Sequence, residues 1–463
     1  MLILSYMRIV EAAWSVKRIG MTVESSKESK TPQPDGISHA WRALKHRNFR
    51  LFFGGQSISL IGTWMTRIAT SWLVYQLTKS PLMLGLVGFS GQIPSFLFAP
   101  LAGVIVDRMD RRKVLLWTQA LAMLQSLLLA ALTLAHRINV TEILLLSVMQ
   151  GIINAFDMPA RQSFMIRMVE DRADLQNAIA INSSMVNAAR LIGPSLAGIL
   201  IAATNEGWCF LIDGVSYIAV IASLLMMRIR HEELQAHGTT MAEQLRQGWE
   251  YVTQSVPIRN ILMLFALLSL MGWPFMVLMP VFAAEVLKGG AHTQGFLMGA
   301  VGVGALASAL VLAVRKSVRG LTKIIPIGAC VFGIGLIAFG FSHSLWLSLP
   351  IMLVTGFGMM QGITSSNTIL QTLVDEKMRG RVMSYYTMAF VGMAPFGSLF
   401  AGALARAVGA QNTVIVSGIA CICGAIWFFT RLPRIRKEIR PIYERLGIIP
   451  IRQPALVEEA AEN

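Results

Sequence analysis

Apolar and polar positions fall in long blocks along this chain, not at strand or surface-helix period. Twelve apolar runs occur, at roughly 50–77, 82–106, 114–135, 140–165, 176–203, 207–229, 259–285, 291–314, 322–343, 346–373, 382–407 and 411–431. A helix needs about 20 apolar residues to cross the hydrocarbon core, so each run predicts one membrane helix. The runs lack the dyad alternation of barrel strands, which excludes a closed β-barrel. The expected fold is all-α and integral to the membrane, with twelve transmembrane helices.

Charge sets the topology that hydropathy leaves open. The chain is 54% hydrophobic and only 14% charged, against about 25% charged in a soluble domain. A net charge of +15 would suit nucleic acid if the basic residues shared one face, but they lie in small clusters between apolar runs. That distribution excludes nucleic acid as a partner and reads as topology with anionic-lipid contact. With both termini cytoplasmic, about 34 of the 40 Lys and Arg fall on one side, including Arg108 to Lys113, Lys377 to Arg381 and Arg431 to Arg452. The opposite loops hold Lys79, Arg137, Lys288 and Arg406. An odd number of spans would scramble this asymmetry, so an even number with both ends inside is expected.

Residues 1–40 read as a cytoplasmic N-terminal tail, largely disordered, because Ser25 to Ser38 is polar and carries Pro32, Pro34 and Gly36. Met21 is an alternative start. An N-terminal six-helix bundle is expected over 41–229, a cytoplasmic linker over 230–258, a C-terminal six-helix bundle over 259–431 and a cytoplasmic tail over 432–463. In the linker Leu245, Trp249 and Val252 recur at helical spacing, with Arg246 and Glu250 between them. This predicts an amphipathic helix on the inner membrane face. The halves echo each other: Met149-Gln150-Gly151-Ile152 returns as Met360-Gln361-Gly362-Ile363, and Gly193 to Gly198 as Gly397 to Gly402. A tandem six-plus-six repeat is what a two-bundle transporter requires, with its substrate site between the bundles.

Between the second and third runs lies Gly103-Val104-Ile105-Val106-Asp107-Arg108-Met109-Asp110-Arg111-Arg112-Lys113. The pattern Gly-x-x-x-Asp-Arg-x-x-Arg-Arg resembles the signature loop between helices 2 and 3 of the major facilitator superfamily of transporters. Trp41 to Phe53, Asp157 to Arg161 and Met378 to Ser384 resemble the branch of enterobactin exporters and macrolide efflux proteins. The resemblance covers about residues 40–435 and implies the major facilitator fold. It also implies a cytoplasmic gate in which Gly103, Asp107, Arg108, Arg111 and Arg112 latch the bundles, Asp107 meeting the helix start near Val382 and Ser384. Asp110 stands where the family loop has Gly, so a different turn geometry is expected. Ser147 replaces the Arg that precedes the Gln-Gly pair in proton-coupled drug exporters, and Ala180, Ala189 and Ala197 stand at glycine positions of their fifth span.

Charges within a bilayer cost roughly 2.5–3.5 kcal/mol each on insertion scales, so intramembrane ones are functional candidates by default. Asp213 has no obvious local partner and is the first candidate for proton coupling, with Asp157 the second. A salt bridge from Asp213 to Arg67 or Arg190 is the structural alternative. Asp157 and Arg161, four apart, share a helix face and neutralise each other. Glu285 is expected to be solvated at an outer helix end. Arg67 and Arg190 suit an anionic substrate such as a carboxylate or catecholate. Arg161, Gln150 and Gln361 are further substrate or charge-pair candidates, with interhelical hydrogen bonding as the alternative. Gly193, Pro194 and Gly198 are expected to bend or thin their helix for close packing.

Cys209, Cys330, Cys421 and Cys423 all fall in spans and read as small packing residues. The sequence holds no nucleotide loop, metal motif or nucleophile elbow, so neither a cofactor nor enzymatic activity is expected. The expectation is a monomeric, multi-pass inner-membrane protein that exports a small amphipathic molecule, siderophore or drug, against protons by alternating access. An ion-coupled importer of a metabolite and a non-transporting ligand sensor of the same fold are the alternatives.

Overall fold

The computed structural model describes residues 41–169, 171–228, 241–315, 317–376 and 378–450. The expected N-terminal tail and the chain beyond 450 lie outside the described residues. All regular structure within them is helical. The long helices are α1 (Arg47–Thr78), α2 (Pro81–Arg108), α3 (Arg111–Leu134), α4 (Val140–Met165), α5 (Leu175–Ala203) and α6 (Glu206–Met226). After the short α7 (Met241–Gln254) come α8 (Val256–Val286), α9 (Ala291–Ala313), α10 (Leu321–Gly340), α11 (Leu345–Leu373), α12 (Arg379–Val408) and α13 (Ala410–Arg445). Among the described residues, eleven helices are long and apolar enough to cross a membrane. The others are α7 and α1, which carries Arg47, Arg50 and Arg67 within its 32 residues.

Turn chemistry places the helix ends. Lys79 closes α1 in the left-handed conformation (φ 50°) and Pro81 opens α2, so two residues reverse the chain. At the other end of α2, the Asp110 carboxylate accepts the Arg112 backbone N–H at 2.9 Å and caps α3. Its φ is −64°, so this turn uses a cap and needs no glycine. Asp110→Ala is therefore expected to cost about 1 kcal/mol of stability, and Asp110→Gly roughly a few tenths. Thermal denaturation of the three proteins in one detergent checks that order.

Helices α1 to α6 pack on one another, and so do α8 to α13. Lipid tails are as apolar as leucine, so helix association in a bilayer relies on close van der Waals fit at small residues. The two groups meet along two seams, α5 with α9 and α2 with α12. A Cβ on Gly198 would lie 3.1 Å from Gly295 Cα, and one on Gly85 would lie 2.9 Å from Gly402 Cα. Further along the same α2 and α12, a Cβ on Gly103 or Gly380 would meet nothing within 4 Å. The two helices therefore touch at the end carrying the α1–α2 turn and diverge at the end carrying the α2–α3 turn. These are the closed and open ends below.

Two helices depart from α geometry. Within α8 a π turn (Leu268–Gly272) leads into a 3-10 stretch (Trp273–Leu278), and a second π turn spans Phe282–Val286. Pro274 and Pro280 remove backbone donors there. In α12 a π turn spans Met388–Gly392, just before Pro395. The Ser269 hydroxyl donates to the Phe390 carbonyl and joins the two irregular stretches. Such wide turns recur at functional sites.

The linker helix α7 packs one side against the start of α12. Arg381 at the start of α12 donates to the Gln247 side chain, Tyr251 donates to Asp375 at 3.2 Å, and the Trp249 and Tyr385 rings are 5.8 Å apart. Burial pushes the Tyr251 hydroxyl above its ordinary range. Val252 is buried, Trp249 stays 57% exposed, and the Leu245 side chain lies outside the described set. The last helix α13 continues past residue 431 to Arg445, burying Leu432, Ile435, Ile439 and Tyr443 along one face.

Candidate functional site

Helices α1 and α5 bring two arginines to one tryptophan. A Cβ on Gly193 would lie 2.5 Å from Trp64 Cβ, so glycine there lets α5 lie flat on α1 beside Pro194. The Arg67 guanidinium then sits 4.9 Å from the Trp64 ring centroid, and that of Arg190 sits 5.7 Å from it. Arg190 is also 5.4 Å from the Trp273 ring on α8, so it lies where the two helix groups meet. Cation–π contact offsets part of the cost of such placement, about 0.5–2 kcal/mol each. Arg190 is 6% exposed and its Nη2 has no hydrogen-bond partner among the described residues. Arg67 is exposed although it sits well inside α1, so its side of the helix faces open space between the groups.

One layer behind that face lies Asp213 on α6, 2% exposed. Thr66 donates to Oδ2 at 2.8 Å, Ser126 donates to Oδ2 at 3.1 Å, and Thr63 is 3.5 Å from Oδ1. A Cβ on Gly62 would stand 2.8 Å from Oδ1, so glycine is what admits the carboxylate between helices. The salt bridge from Asp213 to Arg67 or Arg190, the structural alternative for this acid, does not form. Two of the three hydroxyls have a second acceptor within reach: Thr63 has the Ser59 carbonyl at 3.0 Å, and Ser126 has the Phe210 carbonyl at 3.0 Å. Each hydroxyl carries one proton, so each can donate either to Asp213 or to backbone. The charged carboxylate takes three donors. A protonated one can donate to Ser126, whose own proton turns to Phe210. Both forms are satisfied by the same side chains. Thr63 is exposed on the face it shares with Arg67, one helical turn away, so the cluster reaches open space.

The closed end is held by polar contacts across the groups. Tyr75 on α1 donates to Glu285 on α8 at 2.8 Å, and Gln294 on α9 donates to Ser71 at 2.8 Å. The Lys79 ammonium stands 4.6 Å from the Tyr75 ring. Glu285 is exposed, as expected of an outer-end acid, and it also accepts the Tyr75 phenol across the α1–α8 contact.

The other expected residues lie apart from the arginines. Asp157 accepts Thr118 at 2.9 Å, Gln119 at 2.6 Å and Arg161. It is engaged inside the first helix group, where Arg161 is its ion-pair partner. Gln150 donates to Asn154 at 3.1 Å, and Gln361 is buried facing Gly328 of α10. In the first turn of α3 Arg112 donates to the Leu225 carbonyl at 2.8 Å, capping the end of α6. Arg108 is exposed. The Asp107 side chain lies outside the described set. Trp64, Trp273, Thr63, Thr66 and Ser126 were missed by sequence reasoning. Trp64 and Thr63 had a signal, lying three and four residues before Arg67 on the same helix face.

Two groups of membrane helices, touching at one end only and meeting over unpaired charges, define a two-bundle membrane transporter. The bacterial Spinster homologue described as inward-facing and unoccupied shares this fold, with TM-score 0.64, 13% identity, 87% of this chain and 99% of that one covered. So does the nucleoside transporter NupG, with TM-score 0.63, 14% identity, 84% of this chain and 98% of that one. The chain belongs to the MFS_3 family of the major facilitator superfamily, described as transmembrane secretion effector, which matches residues 38–445. It is 25% identical to the staphyloferrin A transporter of Staphylococcus aureus, over 82% of this chain and 95% of that protein. It is 26% identical to the enterobactin exporter EntS of Escherichia coli, over 85% and 93%. It is 23% identical to the multidrug efflux pump Tap of Mycolicibacterium fortuitum, over 81% and 93%. The protein is a multi-pass transporter of the inner membrane and not an enzyme.

Proposed function

We propose that this transporter is a twelve-span exporter that exchanges protons for a small amphipathic molecule by alternating access. The carrying observation is the Asp213 cluster: a lone carboxylate among hydroxyls that satisfy it with or without a proton and reach the space beside Arg67. A charge at this depth is costly unless it serves a purpose. Helix α1 supplies the twelfth crossing, since its 32 residues extend about 48 Å. The open end carries Arg108 to Lys113, Arg379 and Arg381, so the positive-inside rule turns it to the cytoplasm, along with both termini. Export is the direction that the names of the efflux and exporter relatives support. In the opposite state Gly103 and Gly380 approach, bringing the loop from Gly103 to Arg112 against Val382 and Ser384 as the cytoplasmic gate. The transporter works as a monomer in contact with anionic lipid.

The test uses inside-out vesicles with an acid interior and a pH-sensitive dye. Adding the substrate from a panel of siderophores, macrolides and lipophilic cations is expected to discharge the gradient, as protons leave the lumen while the compound enters. Compounds that bind yet leave the gradient untouched would replace the exporter with a ligand sensor.

A further inference from the structure

The charge of the transported molecule can be read from what the arginines lack, an inference that relies on the exporter reading only for the site's role. Two guanidinium groups share Trp64, close enough for their charges to repel, and neither has an ion-pair partner among the described residues. The acids of this region are engaged elsewhere: Asp213 with hydroxyls, Asp157 with Arg161, and Glu285 with Tyr75. Arg190 is nine-tenths buried and its Nη2 is unpartnered. A buried cation beside a second cation is a state that proteins relieve with a counter-charge, and this one has none of its own.

We infer that Arg67 and Arg190 hold the acidic group of the transported molecule, an anion that joins a carboxylate or catecholate to a planar apolar body. The guanidinium fork matches a carboxylate or a pair of adjacent oxygens bidentately. The Trp64 and Trp273 rings lie 5.7 and 5.4 Å from the Arg190 guanidinium, so a flat ring joined to the bound acid group has an indole from each bundle beside it. Behind Trp273, edge-on to Phe390 with centroids 4.8 Å apart, lies a small apolar pocket of about 20 Å³ inside the second bundle, lined also by Phe265, Phe332, Met359 and Ile363, so an apolar end enters it only as those side chains move apart. Acid end and apolar end thus engage different bundles: Arg67, Arg190 and Trp64 belong to one, Trp273 and the pocket to the other. A ligand bound this way reports its presence to the irregular stretch of α8 that begins at Leu268. A cationic amphiphile would bring its charge against two like charges and is rejected.

Calorimetric titration of the full-length protein in lipid nanodiscs tests this, with dihydroxybenzoate as the anionic probe and tetraphenylphosphonium as the cationic one. The expected result is binding of the benzoate alone. Arg190→Gln and Arg67→Gln each weaken it about tenfold or more, as loss of a charge-assisted contact requires, and Arg190→Lys restores it in part because charge remains without the fork. Arg190 leaves no carboxylate behind, so Arg190→Gln should melt lower only by the loss of its two indole contacts, and Arg190→Lys, which keeps the charge, should melt between the two. Arg67→Gln, on the exposed face, is the independent variant. Phosphonium binding, benzoate affinity equal in parent and both Gln variants, or no benzoate binding at millimolar concentration would overturn the inference. None of these readouts needs a gradient. Benzoate binding without proton movement would leave the anion site standing and remove the exporter, and proton-coupled movement of a cation would do the reverse.

Discussion

Asp213→Asn is expected to reduce substrate-driven proton movement to the level of vesicles lacking the protein, while the protein stays folded. With the amide oxygen in the place of Oδ2, Thr66 and Ser126 keep their acceptor, and the NH2 falls beside Thr63, whose own proton has the Ser59 carbonyl as an alternative. Asp213→Ala removes that acceptor from the half-buried Thr66 hydroxyl, which costs about 1 kcal/mol. The expected order of melting temperature is therefore parent, Asn, Ala, with both variants equally dead in proton movement. Asn carries no charge, as the protonated acid does, so dihydroxybenzoate binding should survive in it and lose its dependence on pH. The same dye reads the sense of coupling in the parent. Discharge of the gradient means that proton and substrate exchange, and deepening of it means that they travel together. An Asp213→Asn protein that still discharges the gradient would move the proton site away from α6.

What was legible beforehand follows from the range of each interaction. Apolar runs are local, so the helices, the pairing of Asp157 with Arg161 and the close-packing role of Gly193 could be read from neighbours in sequence. The cost of a charge in lipid is also local, and it marked Arg67, Arg190 and Asp213 without any structure. What surrounds them was not legible, because partners come from distant segments. Glu285 takes its donor from Tyr75, and Arg190 takes one of its two indoles from α8. The linker shows the same limit. Spacing identifies an apolar face on α7, but a helical period is the same whether lipid or the start of α12 covers it. Asp110 shows the converse: a departure from the family glycine is explained by one local hydrogen bond.

Gly85→Leu is expected to invert the preferred state and stop transport. At Gly85 a Cβ would lie 2.5 Å from the Ser398 carbonyl and 2.9 Å from Gly402 Cα, so the atoms in the way are backbone and cannot rotate aside. Overpacking of this kind costs about 1–3 kcal/mol or more, and each 1.4 kcal/mol changes a two-state ratio about tenfold. The penalty falls only on the conformation in which α2 and α12 touch at the closed end, which is what biases the equilibrium and not merely the stability. Spin labels on Ser80→Cys and Gly409→Cys, in a background without the native cysteines, should move apart, and labels on Met109→Cys and Gly380→Cys should approach. Gly103→Leu is the matched control on the same helix. It has open space in the present state and would meet α12 only when the other end closes, so it should hold the molecule as it is. Unchanged distances in Gly85→Leu with transport intact would show that the Gly85–Gly402 contact is packing that the cycle never breaks. Opposite shifts from two leucines eighteen residues apart on one helix would show α2 rocking against α12 about the seam between them.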